Sequence, residues 1–442
     1  MKINYISPNS RMKIHIIGAG PTGMSLAWEV LRSGDHDVTI YDRKLSAGGS
    51  WWEPDEDVRD LHAHRIVFDR AFVNTKSLFG EMGIKWDDIF EPVSKGVYKF
   101  AFESFSLKDY GALTSLSFRV LTKPEHYKGV SLKNALGDLS EKGKTLLEHL
   151  PLLMDGVTWD VMSAYEFVKS FDYVALSKQY TQRVSGKVMC DAMEQAVLDV
   201  GANFVFGNEL TELEYFEDGY KATFSDATVI DDGMLFLCLD NSPAIKLLGD
   251  NWGDDAVKKV RESTYGCINI LLDFDEPVKI EDEVEIITST KLRLQPVVLS
   301  DGVTISCIIT DLNENVMNTP PEELKSLVLE ELDVPTPKDI RIGWGANWDG
   351  ERWQFSQSSG VLSLHGQLPF FGKCPTVAMC GMMSPRKTPY SSIEAAVEVS
   401  RSLSHQEFGT REPLQPILLT HTISLIIVAL IVLILLYRNR NI

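Results

Sequence analysis

The segment Gly18-Ala19-Gly20-Pro21-Thr22-Gly23 carries the spacing G-x-G-x-x-G. It follows an apolar run over residues 13–17 and opens a helical period over 22–32, in which Met24, Leu26, Ala27, Val30 and Leu31 recur. In that setting the three glycines act differently. Gly18 permits a tight turn, Gly20 lets backbone approach a diphosphate, and Gly23 lets the helix pack on the sheet. The helix start presents free N–H groups and the positive end of its dipole to phosphate. A second strand is expected over 38–41. Asp42 ends it, 19 residues beyond Gly23, where a carboxylate accepts hydrogen bonds from an adenosine ribose. The pattern points to dinucleotide binding; the alternative is a glycine-rich turn with a surface aspartate.

After Asp42 the chain reads Arg43-Lys44-Leu45-Ser46-Ala47-Gly48-Gly49-Ser50-Trp51. Two adjacent glycines allow close approach of a large planar or phosphorylated ligand. A Gly-Gly pair six and seven residues past the acid resembles the second flavin fingerprint of the flavin amine oxidase and phytoene desaturase superfamily. Arginine often follows the pair there, whereas Ser50 stands here. Leu61-His62-Ala63-His64-Arg65 and Leu78 to Ile84 are similar to the superfamily's stretch before and through the next helix. Gly201 to Phe204 followed by Leu210-Thr211 resembles its strand pair that contacts adenine. Residues 236–243 and 270–277 resemble the element closing its cofactor domain and a substrate-domain strand. Val377 to Met382, then Thr388 to Ala396, resembles its last strand and the helix start that faces the flavin.

This resemblance implies FAD, held non-covalently. The implied contacts are Gly18, Gly20, Pro21, Thr22, Gly23, Asp42, Arg43, Gly48, Gly49, Ser50, Trp51, Leu210, Thr211, Gly381, Met382, Ser391, Ser392 and Ile393. Met382 occupies the place of the superfamily's aspartate. Ser391-x-x-Glu394 also fits a capping box. Hydride would pass from a C–N or C–C bond of a small, lipophilic substrate to the flavin, with O2 or a membrane electron acceptor reoxidising it. A redox-neutral mutase or isomerase and an FAD-binding protein without catalysis are the alternatives. No catalytic base stands out. Trp344, Trp348, Trp353, Phe370 and Phe371 are candidates for an aromatic cavity lining or for core, and His62, His64 and Arg65 for cofactor or surface.

The elements that must position these residues set an α/β fold. A Rossmann-like FAD-binding domain is expected from 12–105, 186–246 and 372–405, interleaved with a mixed-sheet substrate domain from 106–185 and 247–371. Helices are expected over 133–149, 164–178, 187–200, 321–332 and 391–403. A linker at 406–416 leads to 417–437, an apolar run of bilayer length that reads as a transmembrane tail anchor with the large domain cytosolic. The chain has 442 residues with 43 Lys+Arg against 62 Asp+Glu, a net charge of −19, which disfavours nucleic acid as a partner. Its six cysteines form no C-x-x-C pair and lie far from any histidine cluster, so no metal site is expected and a reducing compartment fits.

Overall fold

The computed structural model describes residues 11–53, 65–93, 105–262, 264–280, 291–299, 301–355, 359–360 and 367–423. Its centre is a sheet of five strands: β1 (Lys13–Ile17), β2 (Asp37–Asp42), β6 (Asn203–Phe206), β10 (Met234–Leu237) and β19 (Val377–Met379). They lie in the order β19-β10-β1-β2-β6, and every pairing is parallel. Parallel strands covered on both faces need continuous apolar sequence, and β1 buries Ile14, His15, Ile16 and Ile17. Helices α1 (Pro21–Leu31), α6 (Gly186–Asp199) and α9 (Ile393–Phe408) join the sheet in one core built on Ile16, Leu26, Val30, Met193, Val397 and Val399. An antiparallel meander, β7 (Leu210–Tyr215), β8 (Tyr220–Phe224) and β9 (Val229–Ile230), caps a second, smaller core. Helix α7 (Asn241–Trp252) adds Leu247 to it.

A second module is built on β12 (Ile268–Asp273), β13 (Gln295–Val298), β14 (Thr304–Ile309) and β15 (Asp339–Ile342), which form a sheet in the order β13-β14-β12-β15. Among the described residues all its pairings are antiparallel, where a mixed sheet was expected. One face packs under α8 (Pro321–Glu331) through Leu324 and Val328. Three short strands, β3 (Ile66–Phe68), β4 (Phe90–Pro92) and β5 (Gln179–Gln182), form a small antiparallel sheet. Two antiparallel pairs, β16 (Ala346–Trp348) with β17 (Trp353–Phe355) and β11 (Thr264–Tyr265) with β18 (Ser359–Gly360), complete the strands. A helical cluster covers one end: α3 (Leu107–Thr122), α4 (Glu141–Asp155) and α5 (Ala164–Val174), with Leu116, Leu147 and Phe167 at its centre. The helix expected over 133–149 is two: a short turn ends at Ala135 and α4 begins after Ser140, whose hydroxyl caps it.

The tail differs from expectation. Among the described residues, no helix is long and apolar enough to cross a membrane. The transmembrane tail anchor expected over 417–437, and the membrane location drawn from it, are therefore not supported. Residues 424–437 of that run lie outside the described residues. The part that is described returns to the body: Leu418 packs on the main core, and Thr420 donates through its backbone N–H to Asp172 Oδ1 (2.9 Å) and through its hydroxyl to Asp172 Oδ2 (3.0 Å) on α5. Leu414 donates to Asn74 Oδ1 (2.8 Å) on α2 (Val73–Met82).

Candidate functional site

The carboxyl ends of β1, β2, β10 and β19 open into one cavity of about 690 Å³. Ligands of open parallel sheets bind at this edge. At one end lies the glycine turn. Gly18 has φ +109°, and a side chain there would collide with the Cys238 carbonyl. Gly23 does not line the cavity; it faces the Gly18 carbonyl and lets α1 settle on β1. Gly20 and Gly49 abut: a Cβ on Gly49 would stand 2.8 Å from Gly20 Cα. Gly48 also lies behind the wall, where its N–H donates to Ala19 O (2.9 Å). The Gly-x-Gly and Gly-Gly turns are thus packed back to back.

Asp42 ties these turns together. Its Oδ2 accepts the Ala19 N–H (2.8 Å) and its Oδ1 the Lys44 N–H (2.8 Å). Each oxygen keeps a second lone pair for another donor. Pro21, Thr22 and Arg43 line the same end, as do Leu210 and Thr211 at the start of β7. Arg43 lies 3.7 Å from Glu209.

The far end is the start of α9. Gly381 and Met382 follow β19, and Ser391, Ser392 and Ile393 open the helix; all five line the cavity. The expected capping box is corrected. Ser392 is the cap, its hydroxyl accepting the Ala395 N–H (3.2 Å). Glu394 turns away to α2, where it accepts the N–H and side chain of both Asn74 and Thr75 at 2.8–2.9 Å. Ser391 instead donates its N–H to Asp155 Oδ1 (3.1 Å). Burial pushes the Asp155 carboxyl up to about 6. Burial, then the Asp155 charge, also raises Glu166.

Ser50 and Trp51 line the middle, with Lys44, Arg65 and Asp240. Desolvation lowers Lys44 to about 8 and Arg65 to about 10, and raises Asp240 to about 6. Beyond them the wall is apolar or neutral. Phe68, Phe72, Leu150, Met154, Tyr390 and Phe355 face Tyr265, Cys267 and Gln295 of the second module.

Sixteen of the eighteen residues expected at the cofactor therefore share one cavity; Gly23 and Gly48 shape it from behind. Among the softer candidates, Arg65 is in the wall, His62 and His64 lie outside the described residues, and Trp348 packs on the buried Trp353 at 5.7 Å. Phe370 belongs to the main core and Phe371 packs against it. Sequence reasoning missed Lys44 and Asp240. Their signal was position, since each follows the end of a central strand where the sheet opens.

Residues 16–72 match the family of NAD(P)-binding Rossmann-like domains. No curated protein matches the chain. Among solved structures it is similar to an oxidoreductase from Methanosarcina mazei, at 15% identity and TM-score 0.59, over 89% of this chain and 100% of that one. It is similar to wild-type putrescine oxidase bound to putrescine, at 14% identity and TM-score 0.62, over 90% of this chain and 99% of the other. A third is an Exiguobacterium sp. 255-15 protein provisionally assigned as a protoporphyrinogen oxidase, at 13% identity and TM-score 0.59, over 89% and 98%. The chain thus shares the fold of these oxidoreductases.

Proposed function

We propose that this chain is an FAD-dependent oxidoreductase of the amine oxidase and desaturase type, with the cofactor held non-covalently. The observation that carries the reading is the continuity of the cavity, which runs from Asp42 and the glycine turns to the α9 start without a break. Its residues fit an adenine dinucleotide. The first turn of α1 holds no acid and no side-chain cap, which leaves it open to phosphate. A Cβ would fill the space where Gly20 meets Gly49. Asp42 retains acceptor capacity for a ribose, and Leu210 and Thr211 stand beside it. The oxidoreductase neighbours support the same reading.

A bound flavin would supply the hydride acceptor. The chain's own groups do the rest. The α9 start lends its dipole to negative charge at the far end, with the Ser391 N–H held in place by Asp155. Phe68, Phe72, Met154 and Phe355 exclude water from the space next to it. That lining favours a neutral, apolar substrate, with O2 or another electron acceptor completing the cycle. Purified protein should be yellow, release FAD on denaturation, and bleach under anaerobic conditions with a substrate that turns over. Colourless protein that takes up no FAD would overturn the reading.

A further inference from the structure

Two cations reach the turn that abuts the α1 N-terminus. Lys44 Nζ donates to Gly49 O (2.9 Å) and lies between the rings of Trp52 and Trp344, 4.8 and 4.7 Å from their centroids. Arg65 arrives just before β3. Its Nη2 donates to Ser50 O (2.9 Å) and Ser50 Oγ (3.3 Å), and its guanidinium stacks 3.8 Å over the Trp51 ring. Both side chains line the cavity. Neither forms an ion pair among the described residues. Peptide carbonyls and aromatic faces carry only partial charge, and the carboxylates that act on these desolvated cations, Asp42 and Asp240 on Lys44 and Glu53 on Arg65, do so without direct contact, so both cations keep room for a touching anion.

We propose that Lys44 and Arg65 form a two-pronged clamp for the diphosphate of the bound dinucleotide, one prong on each carbonyl of the Gly49-Ser50 turn. The inference rests on the FAD reading above. Two positive charges stand next to the place where a ligand with two negative charges would meet the free end of α1. Charge-assisted hydrogen bonds in such a site are roughly twice as strong as neutral ones. The ring contacts aim the prongs: Trp51 holds the guanidinium flat, and Trp52 with Trp344 holds the ammonium from both sides. Trp344 lies between β15 and β16, so the Lys44 prong is braced by the second module as well as by the nucleotide-binding one. Burial depresses both groups, and an incoming diphosphate relieves that cost.

The test uses the full chain and calorimetric titration with FAD, with ADP-ribose (the diphosphate without the flavin) and with adenosine (neither). Lys44→Gln and Arg65→Gln should each weaken FAD and ADP-ribose about tenfold, and the double variant about a hundredfold, with adenosine unchanged. Added NaCl should weaken ADP-ribose binding to the wild type and leave adenosine binding as it was. The clamp is overturned if the double variant binds FAD and ADP-ribose as the wild type does. It is equally overturned if adenosine weakens in step, which marks a structural role, or if the cations serve an anionic substrate and only that ligand is lost. Should circular dichroism show that a variant has not folded, the wild-type salt series decides, and salt-independent ADP-ribose binding overturns the proposal. Wild-type protein that binds neither FAD nor ADP-ribose brings down the FAD reading itself.

Discussion

Asp42 does with one carboxylate what two separate side chains would otherwise have to do, since it holds the N–H of Ala19 in the first turn and of Lys44 in the second. In Asp42→Asn, one of those amides faces an NH2 group. Leaving a buried donor unpaired costs about 1–3 kcal/mol. FAD affinity measured by fluorescence titration should fall about tenfold or more, and the melting temperature should drop with it. Asp42 was legible because its distance from the glycines is fixed by one helix and one strand. Lys44 and Asp240 were visible only as charges. Whether a lysine two residues past a strand is solvated or desolvated depends on Trp344, 300 positions away in sequence, and no local pattern records that.

Helices α1, α2 and α9 are joined by a buried polar lattice. Arg401 is 0% exposed; it donates to Glu29 Oε1 (2.8 Å) on α1, and to Asn74 Oδ1 (3.2 Å) and Glu81 Oε1 (3.1 Å) on α2. Arg411, after α9, reaches the same two glutamates, and Glu394 caps the α2 start from the side. Removing one partner of a buried pair costs about 3–5 kcal/mol, because a charge is left behind. Arg401→Met should therefore lower the urea midpoint by that much stability, while Arg352→Met, which breaks an exposed and solvent-screened pair with Glu314, should leave the midpoint nearly where it was. Helix α1 was legible from its apolar period. The lattice was not, since Arg401 and Glu29 lie 372 residues apart. For the same reason Glu394 was mistaken for half of a local capping box.

At the scale of the molecule, the buried carboxyls of Asp155, Glu166, Asp240 and Glu394 share one direction. Burial raises Asp155 and Asp240 to about 6 and Glu394 to about 7. An acid whose pKa is higher folded than unfolded binds more protons in the native state between those values. Unfolding then becomes easier as pH rises through that window. Asp109 works the other way: its carboxyl is depressed to about 2 by bonds to Ser106 and Ser140, against an opposing burial effect. The stability it lends is present above its ordinary value and lost only in stronger acid. Burial lowers His15, His36 and His149, which pull the other way below their ordinary value; where the carboxyls outweigh them, the cofactor-free protein should melt at a higher temperature near pH 5 than near pH 8, measured by calorimetry at about constant ionic strength. Asp155→Asn with Asp240→Asn should flatten that slope; an unchanged slope would assign it to other groups. The central sheet was legible because its strands are uninterrupted apolar runs. The direction of the second sheet was not, because antiparallel and parallel partners differ in which distant strands meet.

The contact between Gly20 and Gly49 carries a consequence for heredity. A glycine codon altered at one base, where it changes meaning at all, specifies a stop or a residue with a Cβ. Neither position can be rescued by shrinking the other, because both already bear the smallest side group. Point mutation therefore has no level step away from Gly49, which also holds a φ of +55°. Drift can erode the chain around it while the Gly49 codon stays locked.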